Sequence, residues 1–192
     1  AEARIIHLNS ILRAVSNISQ LIIEEKDRGT LLAETCRILV ESRSYRLVWI
    51  GLIENGTFEI KPASYAGFED GYLGSIHVTW DDSPNGQGPT GTTVKTKKPS
   101  VVNDIMADPS FANWRDEAAK RGYRAMVSVP VAMEEHTYGA MNMYSDRPDA
   151  FDEQEVNLLA ELAGDLGFAL YTADIKRNVQ EMKCPTVPDS SM

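Results

Sequence analysis

The sequence predicts an α+β fold with a central antiparallel sheet. Strand-like segments come in neighbouring pairs joined by short turns, near residues 45–65 and 124–145. Long amphipathic helical patterns stand at both ends of the chain, and its 192 residues are a usual size for one domain. We therefore expect the terminal helices to cover one sheet face, and the loops and short helices of residues 67–121 to cover the other.

Two helices are predicted before the sheet. The first, over residues 2–26, carries apolar residues at spacings of three and four, which is typical of a helix with one packed face. After a break at 27–29, the second is predicted over 30–41, where Cys36 falls on the apolar face and is expected to pack in the core. The stripe of the first helix consists of Ile5, Leu8, Leu12, Val15, Ser19 and Ile22.

The sheet is predicted to begin at residues 45–53, because both alternating faces of this segment are apolar, as in a strand covered on both sides. Asn55-Gly56 predicts a hairpin turn into a second strand at 57–65. The remaining predicted elements are a strand at 76–80, a turn-rich loop at 81–89, a helix at 91–97, a strand at 100–102, a helix at 111–121 and a hairpin of strands at 124–133 and 138–145.

The last helix has a clear start signal. Asp152 with Glu155 three residues later forms a capping-box pattern, and Phe151 is placed to pack on Val156 as a hydrophobic staple. The apolar stripe of this helix then runs through Val156, Leu159, Ala163, Leu166, Leu170 and Ala173.

These elements divide the chain into three parts. We expect an N-terminal connector and dimerisation helix at 1–28, a domain core at 29–172, and the end of the C-terminal helix with a disordered tail at 173–192. Because a helical pattern is already present at the first residues, we expect a segment of a longer protein. The two terminal stripes are expected to pair across a homodimer as a helical bundle.

The composition is that of a folded, acidic protein. Lys and Arg total 19 against 28 Asp and Glu, a formal charge of −9, so nucleic-acid binding is not expected. No apolar run is long enough to cross a bilayer, so direct membrane insertion is not expected either. Cys36 and Cys184 are the only cysteines, too few for a disulfide scaffold, which favours a cytoplasmic location.

Familiar catalytic and cofactor motifs are absent or incomplete. Residues 86–91 spell G-x-G-x-x-G, but Pro89 removes a backbone donor where phosphate would be held, and Pro99 ends the next helix after about two turns. No nucleophile elbow, P-loop or zinc-helix motif occurs, and the three histidines are far apart in the sequence. We therefore expect no metal site and no enzyme activity.

A sheet roofed by loops is a common place for a small-molecule cavity; a filled core is the alternative that the residues leave open. His77 and Cys36 are chemically able to ligate haem iron, although a sheet histidine and a core cysteine are the simpler interpretations. The candidate lining residues are aromatic, thioether and imidazole side chains of the middle region: Trp49, Tyr65, His77, Trp80, Trp114, Tyr123, Met126, Met141 and Met143.

Several segments, in order, carry a resemblance to a known family. They are YRLVWIGL at 45–52, GPTG at 88–91, VVNDI at 101–105, DPSF at 108–111, WR at 114–115, RGYR at 121–124, VSVP at 127–130 and AFD at 150–152. Over about residues 8–172 the chain resembles the GAF domain family, in particular the GAF domains of bacterial and archaeal sensor histidine kinases and diguanylate cyclases.

The resemblance implies a PAS-related, six-stranded antiparallel sheet with a ligand pocket under the loops. It implies a cytoplasmic sensory domain of a signal-transduction protein, such as a two-component system, that signals through its terminal helices to a kinase or cyclase output domain outside this chain. GAF domains bind cyclic nucleotides, bilins, haem, iron centres or small metabolites, and some bind nothing and serve as dimer-forming spacers.

Individual positions narrow these options. The cyclic-nucleotide members have an Asn-Lys pair in the late hairpin, whereas here Asn142 is followed by Met143. Bilin-binding members and free methionine sulfoxide reductases need cysteines in an interval, residues 43–182, that has none here. The resemblance therefore favours a non-catalytic sensory domain with a small-molecule ligand, with a ligand-free dimerisation spacer as the alternative and a haem sensor through His77 or Cys36 as a further one.

Overall fold

The chain folds around an antiparallel sheet of five strands, in a computed structural model that describes residues 2–25, 27–42 and 45–183. The strands are β1 (Leu47–Ile53), β2 (Ile60–Gly67), β3 (Ser100–Val102), β4 (Ala125–Met133) and β5 (His136–Ser145). The helices are α1 (Glu2–Glu24), α2 (Arg28–Glu41), α3 (Tyr72–Ser75), α4 (Pro89–Thr96), α5 (Arg115–Lys120) and α6 (Glu153–Lys183), with 3₁₀ turns at Pro84–Gly86 and Pro109–Trp114.

The strand order is β2-β1-β5-β4-β3, and all neighbours are antiparallel, which confirms the predicted α+β class. The number of strands is five and not about six. The segment predicted as a strand at 76–80 forms only an isolated bridge, Glu59 with Thr79, and two backbone bonds with residues 58–60. The helix α3 before this segment and the turn after it leave too few residues to extend the pairing.

The terminal helices cover one face of the sheet, as predicted. Side chains that alternate toward this face, among them Val48 and Ile50 of β1, are buried in one cluster with residues of α1, α2 and α6. The close approach of α6 to β4 depends on Gly167, where an added Cβ would lie 2.2 Å from the carbonyl oxygen of Ala132. A long helix and the centre of the sheet thus form one continuous core.

The start of α6 follows its sequence signal. The carboxylate of Asp152 accepts a hydrogen bond from the Glu155 amide at 3.0 Å, and the Phe151 ring stacks on Tyr45 with centroids 5.9 Å apart. The Asp152 half of the predicted capping box is therefore confirmed. The Glu155 half differs, because its carboxylate accepts a hydrogen bond from Tyr45 and lies beside His7. Phe151 and Val156 are buried in the same core cluster.

The opposite face is covered by a roof, which we define as residues 68–121. Side-chain bonds to backbone carbonyls hold it to the sheet side. Arg46 Nε donates to Arg121 O at 2.7 Å, and the Tyr123 hydroxyl donates to Phe68 O. Within the roof, Arg121 Nη2 donates to Asp70 O at 2.7 Å and joins its two ends. These bonds close the second hydrophobic core, which lies between the sheet and the roof.

The predicted tail at 184–192 lies outside the described residues. None of the helices in the described ranges combines the length and the apolar character that crossing a bilayer requires.

Candidate functional site

A small cavity lies between the sheet and the roof. The space not filled by protein atoms is about 250 Å³ including its open mouth, but only about 10 Å³ of it admits the centre of a water-sized sphere. None of the described residues that line it is acidic or basic. They are Trp49, Tyr72, Ile76, Val78, Gly88, Pro89, Thr90, Gly91, Phe111, Trp114 and Tyr144.

The floor of the cavity comes from the two central strands. Trp49 of β1 and Tyr144 of β5 point to the same sheet face, because both alternate away from the neighbours that pack on the helices. The Trp49 indole Nε1 donates to the Tyr144 hydroxyl at 3.2 Å, and both side chains are almost fully buried. This bond fixes the orientation of two large rings at the bottom of the cavity.

Trp114 and Tyr72 provide the walls on the roof side. Trp114 Nε1 donates to the His77 carbonyl at 3.1 Å, which locks its indole ring. The ring lies against Gly88, where an added Cβ would be 2.3 Å from a ring carbon, so only glycine allows this packing. The Tyr72 ring meets the Tyr144 ring edge-on, with centroids 5.7 Å apart.

The third wall is the N-terminus of α4. Its N-cap Gly88 offers no side-chain acceptor, and Pro89 has no amide hydrogen, so the first-turn amides of Thr90 and Gly91 face the cavity end of the helix without a side-chain cap. The Thr90 hydroxyl is committed elsewhere, because it donates to Asn142 Oδ1 at 2.8 Å. The positive end of α4 therefore borders an otherwise apolar and phenolic space.

The structure places the predicted site residues in four different environments. Trp49 and Trp114 line the cavity. Tyr123 and Met126 are buried in the same core cluster but do not line it. Met141 and Met143 lie on the other sheet face, buried against the helices, because they alternate with Ala140, Asn142 and Tyr144.

The remaining predicted site residues lie at the edge of the domain. Tyr65 stands on the edge strand β2 with 54% of its surface exposed. The Trp80 ring packs on Phe58, with centroids 4.8 Å apart, and does not line the cavity. The side chain of His77 is 58% exposed, although its neighbours Ile76 and Val78 line the cavity.

Sequence reasoning missed the two phenols and Phe111. The strand alternation that places Met143 on one face places Tyr144 on the other, so the signal for Tyr144 was present in the pattern. Tyr72 gave no such signal, because α3 is only four residues long and its place above the sheet depends on the roof. Whether a residue of the roof lines the cavity depends on tertiary contacts, which its local sequence does not show.

The residues considered for haem do not fit such a group. Burial raises the pKa of the Cys36 thiol to about 12, and this residue lies on the helix face, across the sheet from the cavity. His77 points outward, with Nε2 2.7 Å from a carboxylate oxygen of Glu59. The cavity also has no room for a porphyrin ring.

Comparison with protein families gives one assignment. The model of the family described as GAF domain matches residues 25–170. No curated protein sequence matches the chain.

Solved structures similar to this chain carry the same fold. The free methionine-R-sulfoxide reductase from Neisseria meningitidis, solved in complex with its substrate, is 22% identical, with a TM-score of 0.73 over 86% of this chain and 91% of that one. The GAF domain of a phosphoenolpyruvate-protein phosphotransferase from Coxiella burnetii is 16% identical, with a TM-score of 0.71 over 88% and 97%. The fRMsr of Staphylococcus aureus, also with substrate, is 17% identical, with a TM-score of 0.67 over 83% and 95%.

The expectation that this chain is not an enzyme was based on the absence of catalytic motifs, and this prediction is wrong. Structures that share its fold include free methionine-R-sulfoxide reductases, which are enzymes. The absence of a familiar catalytic motif therefore does not exclude catalysis on this scaffold. Identities of 22% and 17% establish the common fold, and the chemistry of those enzymes remains theirs.

Proposed function

Because the chain belongs to the GAF domain family, we propose that it is a regulatory domain whose roofed cavity binds a small molecule. The observation that carries the proposal is the cavity itself. Five aromatic side chains from β1, β5, α3 and the 3₁₀ turn before α5 converge on it, and the uncapped N-terminus of α4 closes one side. Concave, mostly apolar sites with a few polar groups are typical of small-molecule binding.

The proposed signal passes through the central strands. Trp49 faces the cavity, while Val48 and Ile50, its neighbours along β1, pack against the terminal helices. A ligand that favours one position of the roof therefore shifts the packing of the sheet on α1 and α6. We propose that these helices carry the change to an output domain of the kinase or cyclase type in the parent protein.

A homodimer is the partner that we propose for the terminal helices. Apolar side chains remain exposed on α1 and α6, including Leu12 at 48% and Phe168 at 53%. A groove between the two helices, about 290 Å³ in volume, is lined by Leu8, Leu12, Gln154, Asn157, Leu158 and Glu161. A second copy of the chain offers a self-complementary apolar face for this surface.

A ligand-free dimerisation spacer is the second candidate function, and one observation favours it. The space for a water-sized sphere is only about 10 Å³, so the cavity is nearly filled by its own side chains. A ligand larger than one water molecule must displace part of the roof.

A ligand screen separates the two candidates. The compounds are cyclic nucleotides, aromatic acids and free methionine-R-sulfoxide, the last because a similar fold is known with its substrate. A compound present at about 100 times its dissociation constant stabilises the folded state by about 2.7 kcal/mol, or roughly 5–10 °C in Tm for a domain of this size. Thermal unfolding with and without each compound measures this shift.

The control is a matched pair of substitutions. Ile76→Phe narrows the cavity and abolishes the shift, whereas Ile23→Phe, at a position 76% exposed on α1, preserves it. If no compound raises Tm, or if Ile76→Phe leaves the shift unchanged, binding in this cavity is refuted and the spacer function remains.

A further inference from the structure

Two buried phenol hydroxyls in the cavity have too few acceptors. Tyr72 is 1% exposed and Tyr144 is 2% exposed, and their hydroxyl oxygens are 3.5 Å apart. An O–H···O bond is normally about 2.5–3.0 Å long, so this contact is stretched. The Trp49 indole points at the Tyr144 hydroxyl and adds a further donor to the group.

Counting donors and acceptors shows what is missing. The group presents three hydrogens, one each on Trp49, Tyr72 and Tyr144, and only the two phenol oxygens to receive them. At least one hydroxyl hydrogen therefore has no acceptor within the part of the chain that the structure describes. Buried donors without a partner are rare in folded proteins, because their desolvation is not offset.

Both hydroxyls stay protonated and remain donors. Burial raises the pKa of Tyr72 well above its ordinary value, and the neighbouring Tyr144 raises it further. Burial also raises the pKa of Tyr144. Neither phenol becomes a phenolate that would accept the hydrogen of the other.

The missing acceptor has a place to sit. Tyr72 and Tyr144 both line the cavity, and the space of about 10 Å³ is enough for one oxygen atom of water size. The surrounding walls are the aromatic faces of Trp49, Phe111 and Trp114. Since no acidic or basic side chain is among the described lining residues, an uncharged acceptor suits the site better than a charged one.

We propose that the cavity recognises a compact apolar molecule through one uncharged acceptor oxygen, such as a carbonyl oxygen, that receives the hydroxyls of Tyr72 and Tyr144. This inference rests on the proposed function and gives its ligand a chemical class. In the protein without ligand, one buried water occupies the acceptor position. The apolar body of the ligand packs on the aromatic walls as the roof moves outward.

A pair of isosteric probes tests the acceptor. Acetophenone has a carbonyl oxygen where α-methylstyrene has a methylene group, and the two are otherwise alike in shape. Ligand-observed NMR gives both dissociation constants. The quantity compared is the dissociation constant of α-methylstyrene divided by that of acetophenone. We expect this ratio to be roughly tenfold larger in the wild-type protein than in Tyr72→Phe or Tyr144→Phe, since each substitution removes a hydroxyl and keeps the ring.

Tyr123→Phe is the matched control. The Tyr123 ring belongs to the same aromatic cluster, with its centroid 5.0 Å from those of Tyr72 and Tyr144, but its hydroxyl donates to Phe68 O outside the cavity. This variant should keep the wild-type ratio. Circular dichroism checks that all three variants are folded, and a ratio measured within each protein is independent of its stability.

The possible results separate this inference from the function on which it rests. A ratio that is the same in all four proteins, or acetophenone that does not bind, overturns the role of the phenols. If a compound of the ligand screen still stabilises the protein, the cavity keeps its proposed function. If neither the probes nor any compound of the screen binds, both the proposed ligand class and the proposed ligand-binding function are refuted.

Discussion

Glu155 has two roles, of which the sequence predicts only the first: it takes part in the cap of α6, and its side chain joins α6 to other elements. Its amide completes the predicted cap of α6, but its side chain is 1% exposed and turns inward. It accepts a hydrogen bond from the Tyr45 hydroxyl at 2.8 Å, and His7 Nε2 lies 3.1 Å from its other oxygen. His7 thereby connects α1 to α6. The partner was invisible in the sequence because the two residues are far apart along the chain.

Cys36 shows the opposite case, in which a local pattern was sufficient. The helical stripe predicts a core position, and the residue is fully buried. Burial is the main cause that raises its thiol pKa to about 12, and hydrogen bonding to Ser64 and to the Ile50 backbone offsets part of this effect. A neutral, enclosed thiol packs as a small apolar side chain.

Labelling of a Cys184→Ser protein tests this environment, because Cys36 is then its only thiol. A rise of the pKa from 9.0 to about 12 lowers the thiolate fraction at pH 8 by roughly 1000-fold, since each pKa unit is a factor of ten. We expect the folded protein to react with a disulfide reagent at least that much more slowly than the protein in denaturant, as followed by absorbance. Equal rates would contradict a buried Cys36.

At the scale of elements, α6 has two apolar faces with different uses. The stripe that the sequence predicts, including Leu159, Leu166 and Leu170, is buried against the sheet. A second set, Phe168, Ile175, Val179 and Met182, stays exposed. The sequence predicted that the terminal helices cover one sheet face and also that this stripe pairs across a homodimer. The structure uses the stripe for the sheet, and a helical periodicity alone does not show whether the partner is a sheet or another helix.

Two glycines of α6 make a matched test of the helix-to-sheet contact. Gly167→Ala places a Cβ 2.2 Å from the Ala132 carbonyl oxygen, which forces backbone apart, and we expect a loss of about 1–3 kcal/mol. Gly164→Ala meets nothing within 4 Å, so better helix propensity should stabilise it by up to about 1 kcal/mol. Urea unfolding measures both changes.

The two glycine variants should therefore differ in sign. A Gly167→Ala protein as stable as wild type would mean that α6 does not pack on β4 as closely as the structure places it. A destabilised Gly164→Ala protein would mean that this position also has a neighbour.

At the scale of the whole molecule, the exposed helical faces are the surface that needs an explanation. Leu12 on α1 and Phe168 on α6 are exposed apolar side chains, and Leu12 lines a groove between the helices together with Leu158, which is partly packed on the core. Of the stripe predicted on α1, Ile5 and Leu12 are exposed, whereas Val15 and Ile22 are partly packed on the core. Most of the stripe predicted on α6 is buried inside the domain. The proposed homodimer thus uses Phe168 of α6, which is not part of the stripe that the sequence analysis predicted for the dimer.

Analytical ultracentrifugation tests the dimer with two phenylalanines of similar exposure. Phe168→Asp places a charge in the proposed interface and should weaken association by at least about tenfold, given about 1.5–3 kcal/mol for a buried Phe side chain. Phe58→Asp, at a position 54% exposed against 53% for Phe168, lies beside β2 and should leave association unchanged. A wild-type protein that stays monomeric at about 100 µM, or two variants with the same effect, would refute this interface.

The sequence by itself determined the α+β class, the approximate positions of α1, α2, α6 and the two hairpins, the Asp152 cap of α6 and the core position of Cys36, because periodicity, capping and turn chemistry are local properties. It did not determine the structure of the roof, where the strand predicted at 76–80 forms only an isolated bridge. Trp49 and Trp114 of the candidate lining were also within its reach. Only the tertiary structure decided that Tyr72 and Tyr144 meet beside them, that Met141 and Met143 face the helices, and that His77 points outward. Those outcomes depend on which face of the sheet the roof covers and on contacts between residues distant in the chain, and no local pattern encodes either.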